Sequence, residues 1–451
     1  MKEAVIDRRR LREVMEREAT RFLDEHSRSR ELFERARGSL LSGVPMHWMT
    51  EWAGAYPVFV QEARGARFVD VDGHEYVDFC LGDTGAMAGH SPPAVADAVG
   101  KQVRRGITVM LPSEDAVWCG EELTRRFGLP SWQFALTATD ANRFTIRLAR
   151  EITSRPKVLV HAWCYHGSVD ETFVVLENGA LRLRPHTIGA PVEPSTTTRA
   201  VEINDVDGLE RELAQGDVAC VLIEPALTNI GIVLPEPGYH EALRDLTKRH
   251  GTLLVIDETH TICAGPGGYT RAYDLEPDFL TIGKTIGGGI PAAAYGFSES
   301  VRDRILAAMP PQTDVGGIGG TLAGNVLSLA AIRATLGDVL AEEAFSRMIS
   351  LGERFEAGVA GVIAEHALPW SVTRLGCRVE YWPRPERART GAEAAGAADA
   401  ELDRFLHLFA LNRGVLMTPF HNMALMCPDT TDSDVDRHTE VFAEAVSTLT
   451  G

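Results

Sequence analysis

The chain has 451 residues, 45% hydrophobic and 24% charged, with a net charge of −18. That length suits two packed domains rather than one simple core, and the composition is that of an ordinary globular enzyme. The acidic balance argues against nucleic acid or an anionic membrane as partner.

Other bulk features narrow the class further. No run of about 20 apolar residues is present to span a membrane. The N-terminus is charged, with Arg8-Arg9-Arg10, and no apolar signal core follows. The seven cysteines are Cys80, Cys119, Cys164, Cys220, Cys263, Cys377 and Cys427. They are scattered and lack a C-x-x-C pair, so neither a disulfide framework nor a zinc site is expected. Small buried thiols in a reducing cytoplasm are the expectation.

In chain order, residues 8–37 are rich in Glu, Arg and Leu, with Leu11, Val14 and Met15 near helical spacing. This predicts one or two amphipathic helices, their outer face solvated or at a subunit interface. Residues 41–49 read as an irregular aromatic loop. Trp48, and Trp52 just beyond it, line a substrate pocket or simply pack. From Phe59 to Phe79 the pattern alternates around Asp72-Gly73, a strong hairpin signal. The glycine-rich stretch Leu81 to Pro92 holds Met87 and His90 and precedes a helix starting near Pro93.

Residues 134–150, FALTATDANRFTIRLAR, read as a strand, a small-residue turn and a helix. The turn Thr137-Ala138-Thr139 would set N–H groups and hydroxyls at a helix N-terminus, an anion site suited to a phosphate. The plainer reading makes Thr139 an N-cap and lets Asp140 complement the helix dipole. Lys157 to His161 is a strand, followed by Tyr165-His166-Gly167. Val218 to Pro225 is another buried strand, ending in Glu224.

The stretch Leu253 to Ala293 organises the rest. One apolar run ends in Asp257 and Glu258, and a second, Phe279 to Ile282, breaks at Gly283-Lys284. Such runs suit buried parallel strands, and their C-terminal ends are where ligands sit in open α/β sheets. A carboxylate and a lysine there can hold pyridoxal phosphate (PLP), the acid on the ring nitrogen and the lysine on the aldehyde. Taken alone, the same residues also fit a core strand followed by a solvated lysine. Gly287-Gly288-Gly289 favours the ligand, because it lets a bulky group approach the backbone.

The segments IDETH and TIGKTIGGGIPAAAYG resemble the cofactor core of the class III aminotransferases, of PLP fold type I. The likeness is greatest to the branch of glutamate-1-semialdehyde aminomutase and the amine and β-amino acid transaminases, and it runs from about Phe59 to Ala330. It implies an α/β fold: a large domain with a mostly parallel seven-stranded sheet between helices, plus a small α+β domain. The boundaries expected are 1–85 for the N-terminal part of the small domain, 86–325 for the large PLP domain and 326–451 for the C-terminal part.

By the same resemblance Lys284 is the Schiff-base lysine and Asp257 the pyridinium partner. Tyr165 stacks on the ring, and Thr259, where the family has Val, packs on the other face. His166 stands behind the cofactor, or without that context is a loop histidine, and Glu224 sits near the 3′ oxygen or orders the neighbouring polar network. Thr137, Ala138 and Thr139 take the phosphate, although the family's Ser-Gly-Thr reads Thr-Ala-Thr here. Thr321, in a Gly-Thr-x-x-x-Asn element, reaches the phosphate of a second subunit, which implies a homodimer. The same element also reads as an N-cap for a helix over residues 326–336.

Residues 327–451 alternate helices with short strands, Gly376 to Tyr381 and Ala424 to Cys427 among them. An Ala-rich helix is expected over 392–400. Substrate expectations follow from side-chain types. Transaminases of acids use an arginine for the carboxylate, yet residues 44–48 and 418–422 hold none. Arg374 and Arg378 are the nearest alternatives, a surface role being at least as expected for each. Trp48, Met49, Trp52, Met87 and Phe420 suggest an apolar pocket. The leading expectation is a ping-pong aminotransferase moving an amino group from an amine or hydrophobic amino acid to a keto acid such as pyruvate. The alternatives are an intramolecular aminomutase, a racemase or epimerase, and a non-catalytic PLP-binding protein. No metal is expected.

Overall fold

The computed structural model describes residues 6–189 and 192–450. The chain forms two compact units. One comprises Met1–Pro92, Ser346–Arg387 and Ala397–Gly451; the other comprises Pro93–Phe345 and Ala388–Gly396.

The chain opens with α1 (Arg8–Glu25) and α2 (Ser27–Ala36), then strands β1 (Val60–Arg64), β2 (Arg67–Asp70) and β3 (Glu75–Asp78). There follow α3 (Pro93–Val103), α4 (Glu114–Phe127), β4 (Ser131–Ala135), α5 (Ala138–Thr153) and β5 (Lys157–His161). A hairpin of β6 (Val174–Glu177) and β7 (Ala180–Leu183) precedes β8 (Thr198–Val201), α6 (Val206–Leu213), β9 (Val218–Ile223) and α7 (Tyr239–His250). Next come β10 (Leu253–Asp257), α8 (Gly268–Ala272), β11 (Phe279–Ile282), β12 (Ala293–Phe297), α9 (Glu299–Ala308) and α10 (Val326–Ala334). The chain closes with α11 (Glu342–Glu365), β13 (Ser371–Leu375), β14 (Arg378–Trp382), α12 (Gly391–Gly396), α13 (Ala400–Leu411), β15 (Val415–Leu416), β16 (Met423–Leu425) and α14 (Asp432–Thr450).

In the larger unit the sheet order is β4-β12-β11-β10-β9-β5-β8. β10 runs parallel to β9 and β11, and β5 runs parallel to β8 and β9. β12 alone runs antiparallel to its neighbours β11 and β4. Every residue of β9, β10, β11 and β12 is buried, which is why these strands read as continuous apolar runs. Leu254 and Ile256 share a core cluster with Leu159, Val221, Ile223 and Leu243. Each such side chain contributes about 1.5–3 kcal/mol. A charge at Val255, fully buried in the middle of the sheet, would break it.

In the smaller unit β1, β2 and β3 form the antiparallel meander expected, with β15 parallel to β3. Gly73 carries the turn at φ +91°, a conformation that favours glycine. α1 buries Leu11, Val14 and Phe22, and Phe22 packs with Tyr56, Phe68, Tyr76, Leu408 and Leu411. β13, β14 and β16 form a separate three-stranded sheet.

Two helical expectations are adjusted. The Ala-rich segment is not one helix: α12 stops at Gly396, and Asp399 caps α13 by accepting from Leu402 N at 3.2 Å. α10 ends as an α-helix at Ala334 and continues as a π-turn from Thr335 to Val339.

Candidate active site

Parallel pairing brings the C-terminal ends of β10 and β11 side by side, with Asp257 opposite Thr281. The Asp257 carboxylate is 4% exposed. Its Oδ2 accepts from Asn142 Nδ2 at 2.7 Å and from His166 Nδ1 at 2.9 Å, and its Oδ1 accepts from Thr259 N at 3.1 Å. Asn142 lies on α5 and is itself fixed, its Oδ1 accepting from Thr281 Oγ1 at 2.6 Å. Burial would raise the Asp257 pKa, but the His166 hydrogen bond and charge outweigh it and hold the group below the usual carboxylate range. For His166 burial opposes the charge, yet Cys164 and Asp257 lift it to about 10. Both shifts favour a carboxylate paired with an imidazolium.

Glu258, one residue on, serves a different purpose. It is fully buried and accepts from Thr261 Oγ1 at 2.6 Å, Tyr269 N at 3.1 Å and Thr270 N at 2.5 Å. This carboxylate ties the turn after β10 to α8. Burial raises its pKa.

Lys284 follows β11 and is half-buried. Its backbone sits at φ +51°, unusual for a residue with a side chain. A Cβ at the preceding Gly283 would lie 3.1 Å from both the backbone N and the Cβ of Ala138, so the strand end is pressed against the start of α5. Lys284 Nζ lies 2.7 Å from His260 Nε2. His260 is 4% exposed.

At the start of α5 the cap is Thr137, not Thr139. The Thr137 side chain accepts from Asp140 N at 3.2 Å and donates to the Asp140 carboxylate at 2.9 Å. Thr139 is already inside the helix, and its hydroxyl accepts from Ser168 N at 3.0 Å. Ala138 opens the helix in ordinary helical geometry. Gly167, at φ +76°, packs so closely on this turn that a Cβ would lie 2.0 Å from Thr139 Oγ1. Tyr165 is half-buried, and its N–H donates to Glu224 Oε1 at 3.0 Å. Glu224 Oε2 accepts from Thr228 N and Oγ1 at 3.1 and 2.6 Å. Burial raises the Glu224 pKa.

Thr321 is exposed in the turn before α10. Together with Gly319 and Gly320 it lines a cavity of about 260 Å³ that also touches Asp140 and Phe144. Asn325 caps α10, accepting from Ser328 N at 2.9 Å.

The residues expected to touch substrate belong to the smaller unit. Trp48 and Phe420 meet edge to face at 5.8 Å and are 42% and 43% exposed. Trp52 is half-buried. Met87 is fully buried, so it is packed in the interior rather than facing open space. Arg374 is engaged by Glu356 at 2.8 Å. Arg378 is not a surface residue: it is wholly buried on β14, the middle strand of its sheet, beside Thr84, Met423 and Asp83.

Two residues of the larger unit's cluster escaped the sequence reading. Asn142 stood in the segment TDAN, but nothing in its spacing pointed to Asp257. His260 stood in IDETH, and its contact with Lys284 spans 24 residues of sequence.

The profile of the family described as Aminotransferase class-III matches residues 48–446. A glutamate-1-semialdehyde 2,1-aminomutase of Desulfitobacterium hafniense is 31% identical over 432 residues, covering 94% of this chain and 98% of that one. A crystal structure described as a glutamate-1-semialdehyde aminomutase from Pseudomonas aeruginosa, a lysine-to-alanine variant in complex with PMP, is 50% identical with a TM-score of 0.97. It covers 98% of this chain and 99% of its own. An omega-transaminase from Sphaerobacter thermophilus is 29% identical with a TM-score of 0.85, covering 94% of this chain and 98% of its own.

The cofactor of this fold is pyridoxal phosphate, and the residues present fit it. Oδ1 of Asp257 accepts one backbone N–H and keeps lone-pair capacity for a ring N–H. The hydroxyl of Thr259 is buried with no hydrogen-bond partner among the described residues.

Proposed function

The chain belongs to the class III aminotransferases, and from that premise we propose that it moves an amino group within one substrate molecule, as the aminomutases it resembles are named for. The observation that carries the chemistry is the pairing, at adjacent strand ends, of a buried carboxylate held by His166 and Asn142 with the amine of Lys284. The aminomutase relatives, at up to 50% identity against 29% for the omega-transaminase, favour the intramolecular reaction over the intermolecular one.

Bound PLP supplies an aldehyde that captures the substrate nitrogen and a ring that accepts electrons. Asp257 would keep a proton on the ring nitrogen, its own charge steadied by His166. Lys284 Nζ would carry the aldehyde and, once freed, take the proton from the carbon bearing nitrogen and later return it. Tyr165 and Thr259 would pack on the ring, with Glu224 beside its 3′ oxygen. The N-terminus of α5, with Thr137, Ala138 and Thr139, would receive the phosphate. Thr321 would serve the phosphate of a second copy, making a homodimer the working unit. Val109, Met110 and Leu111, 49%, 77% and 70% exposed, are the apolar surface such a partner would cover. A cytoplasmic location accords with seven buried cysteines that form no disulfide. Among the described residues no helix is long and apolar enough to cross a membrane.

A second reading is the intermolecular transaminase of apolar amines. The exposed Trp48 and Phe420 rings support it, as does the engagement of Arg374 by Glu356 and the burial of Arg378. The test offers glutamate 1-semialdehyde alone, then 1-phenylethylamine with pyruvate. Conversion of the semialdehyde without a second substrate is expected. Inertness toward it, with amine-to-pyruvate transfer, would replace the first reading by the second.

A further inference from the structure

We propose that His260 is the proton-holding partner of Lys284, receiving the proton that the lysine amine must shed each time it is freed to act as a base. Nζ and Nε2 stand 2.7 Å apart, close enough to share one proton. In the transfer one N–H bond of the lysine ammonium breaks and one Nε2–H bond forms. The positive charge passes to the imidazole and no electron moves. Imidazole is the side chain suited to accept and return a proton near neutral pH.

Both groups sit on constrained backbone. His260 opens the turn after β10, and Ile262 N donates across it to Glu258 O at 2.9 Å. The Glu258 carboxylate pins the same turn to α8. Lys284 is held at φ +51° behind Gly283, where an added Cβ would lie a tight 3.1 Å from Ala138. Such a conformation is strained and persists only where the surroundings impose it. The lysine amine is thus delivered to the imidazole by the fold. None of the roles assigned to the other site residues uses His260, which is 4% exposed.

The inference rests on the reading of Lys284 as the lysine that carries the cofactor. The full-length protein, stripped of cofactor, is trace-acetylated with acetic anhydride at neutral pH. Acetylation of Lys284 is read against exposed Lys101 by mass spectrometry. His260→Gln, which keeps volume and polarity, and His260→Phe are each expected to lower the Lys284-to-Lys101 ratio about fivefold or more, because neither accepts the proton. Free imidazole is expected to restore the ratio in His260→Ala. Ratios within about twofold of wild type in all three variants would overturn the proposal. Borohydride fixation of the cofactor checks the underlying reading separately. Fixation that survives Lys284→Ala overturns that reading, and the role of the pair with it, whatever the labelling ratio.

Discussion

His166 Nδ1 lies 2.9 Å from Asp257 Oδ2, and both side chains are at least 96% buried. Each group stabilises the charge of the other, so their shifts have opposite senses. The folded Asp257 pKa is depressed, so its contribution to stability is present above the ordinary carboxylate range and lost as pH falls through the depressed value. The folded His166 pKa is raised from 6.5 to about 10, so its contribution is full below about 6.5 and fades as pH rises through 10. Thermal melts of wild type and His166→Gln at a series of pH values should therefore differ most near pH 6, on the order of a few kcal/mol. The difference should shrink steadily above that. A difference independent of pH would mean that His166 is neutral in the folded protein.

Lys284→Ala should reduce turnover by about four orders of magnitude or more, because the residue is asked to be both carrier and base. The cofactor should still bind, held by the α5 N-terminus and Asp257, but borohydride should no longer fix it. Stopped assays combined with mass spectrometry after reduction check both halves. A variant that keeps full activity ends the assignment.

Gly167→Ala tests the seat of the phosphate. The new Cβ would collide with Thr139 Oγ1 and would sit at a left-handed φ. Strain on the order of 1–3 kcal/mol is expected. Because the strain falls on the turn proposed to bind phosphate, PLP affinity in a fluorescence titration should weaken about tenfold or more. Unchanged affinity with a lowered melting temperature would move phosphate binding away from this turn.

Glu258→Gln should separate architecture from chemistry. Gln turns an amide NH₂ toward donors that the carboxylate accepted from Thr261, Tyr269 and Thr270. Each donor left unsatisfied costs about 1–3 kcal/mol. The melting temperature should fall by several degrees, while kcat per folded molecule stays within about threefold. A large loss of kcat at full stability would give Glu258 a direct part in the reaction.

How much of this was legible beforehand depends on the kind of signal. β9, β10 and β11 announce themselves because strands buried on both faces read as apolar runs, and Asp257 and Lys284 stand where those runs stop. The Asp72-Gly73 hairpin is equally plain, since Gly73 supplies the left-handed turn. The α5 cap was misplaced by two residues. Thr137 and Thr139 are chemically alike, and only the backbone path decides which stands outside the helix. The burial of Arg378 was hidden because a short strand flanked by two others can be covered on both faces without any apolar run of its own. Met87, in a glycine-rich stretch, gave no periodicity from which to infer its burial. Asn142 and His260 were missed for a further reason. Their partners lie 115 and 24 positions away, and no local pattern encodes such a meeting.

Asp257 and Glu258 are neighbours with the same charge, yet one closes the sheet toward the proposed cofactor and the other staples a turn to a helix. Successive side chains at a strand end point opposite ways, so the two acids are addressed by position and by length. Exchanging them, Asp257→Glu with Glu258→Asp, alters neither composition nor net charge. It makes one acid a methylene too long for His166 and Asn142 and the other a methylene too short for Tyr269 and Thr270. A substitution scale that treats the two acids as synonyms would score this double variant as silent, whereas the geometry makes it a loss of both grip and scaffold.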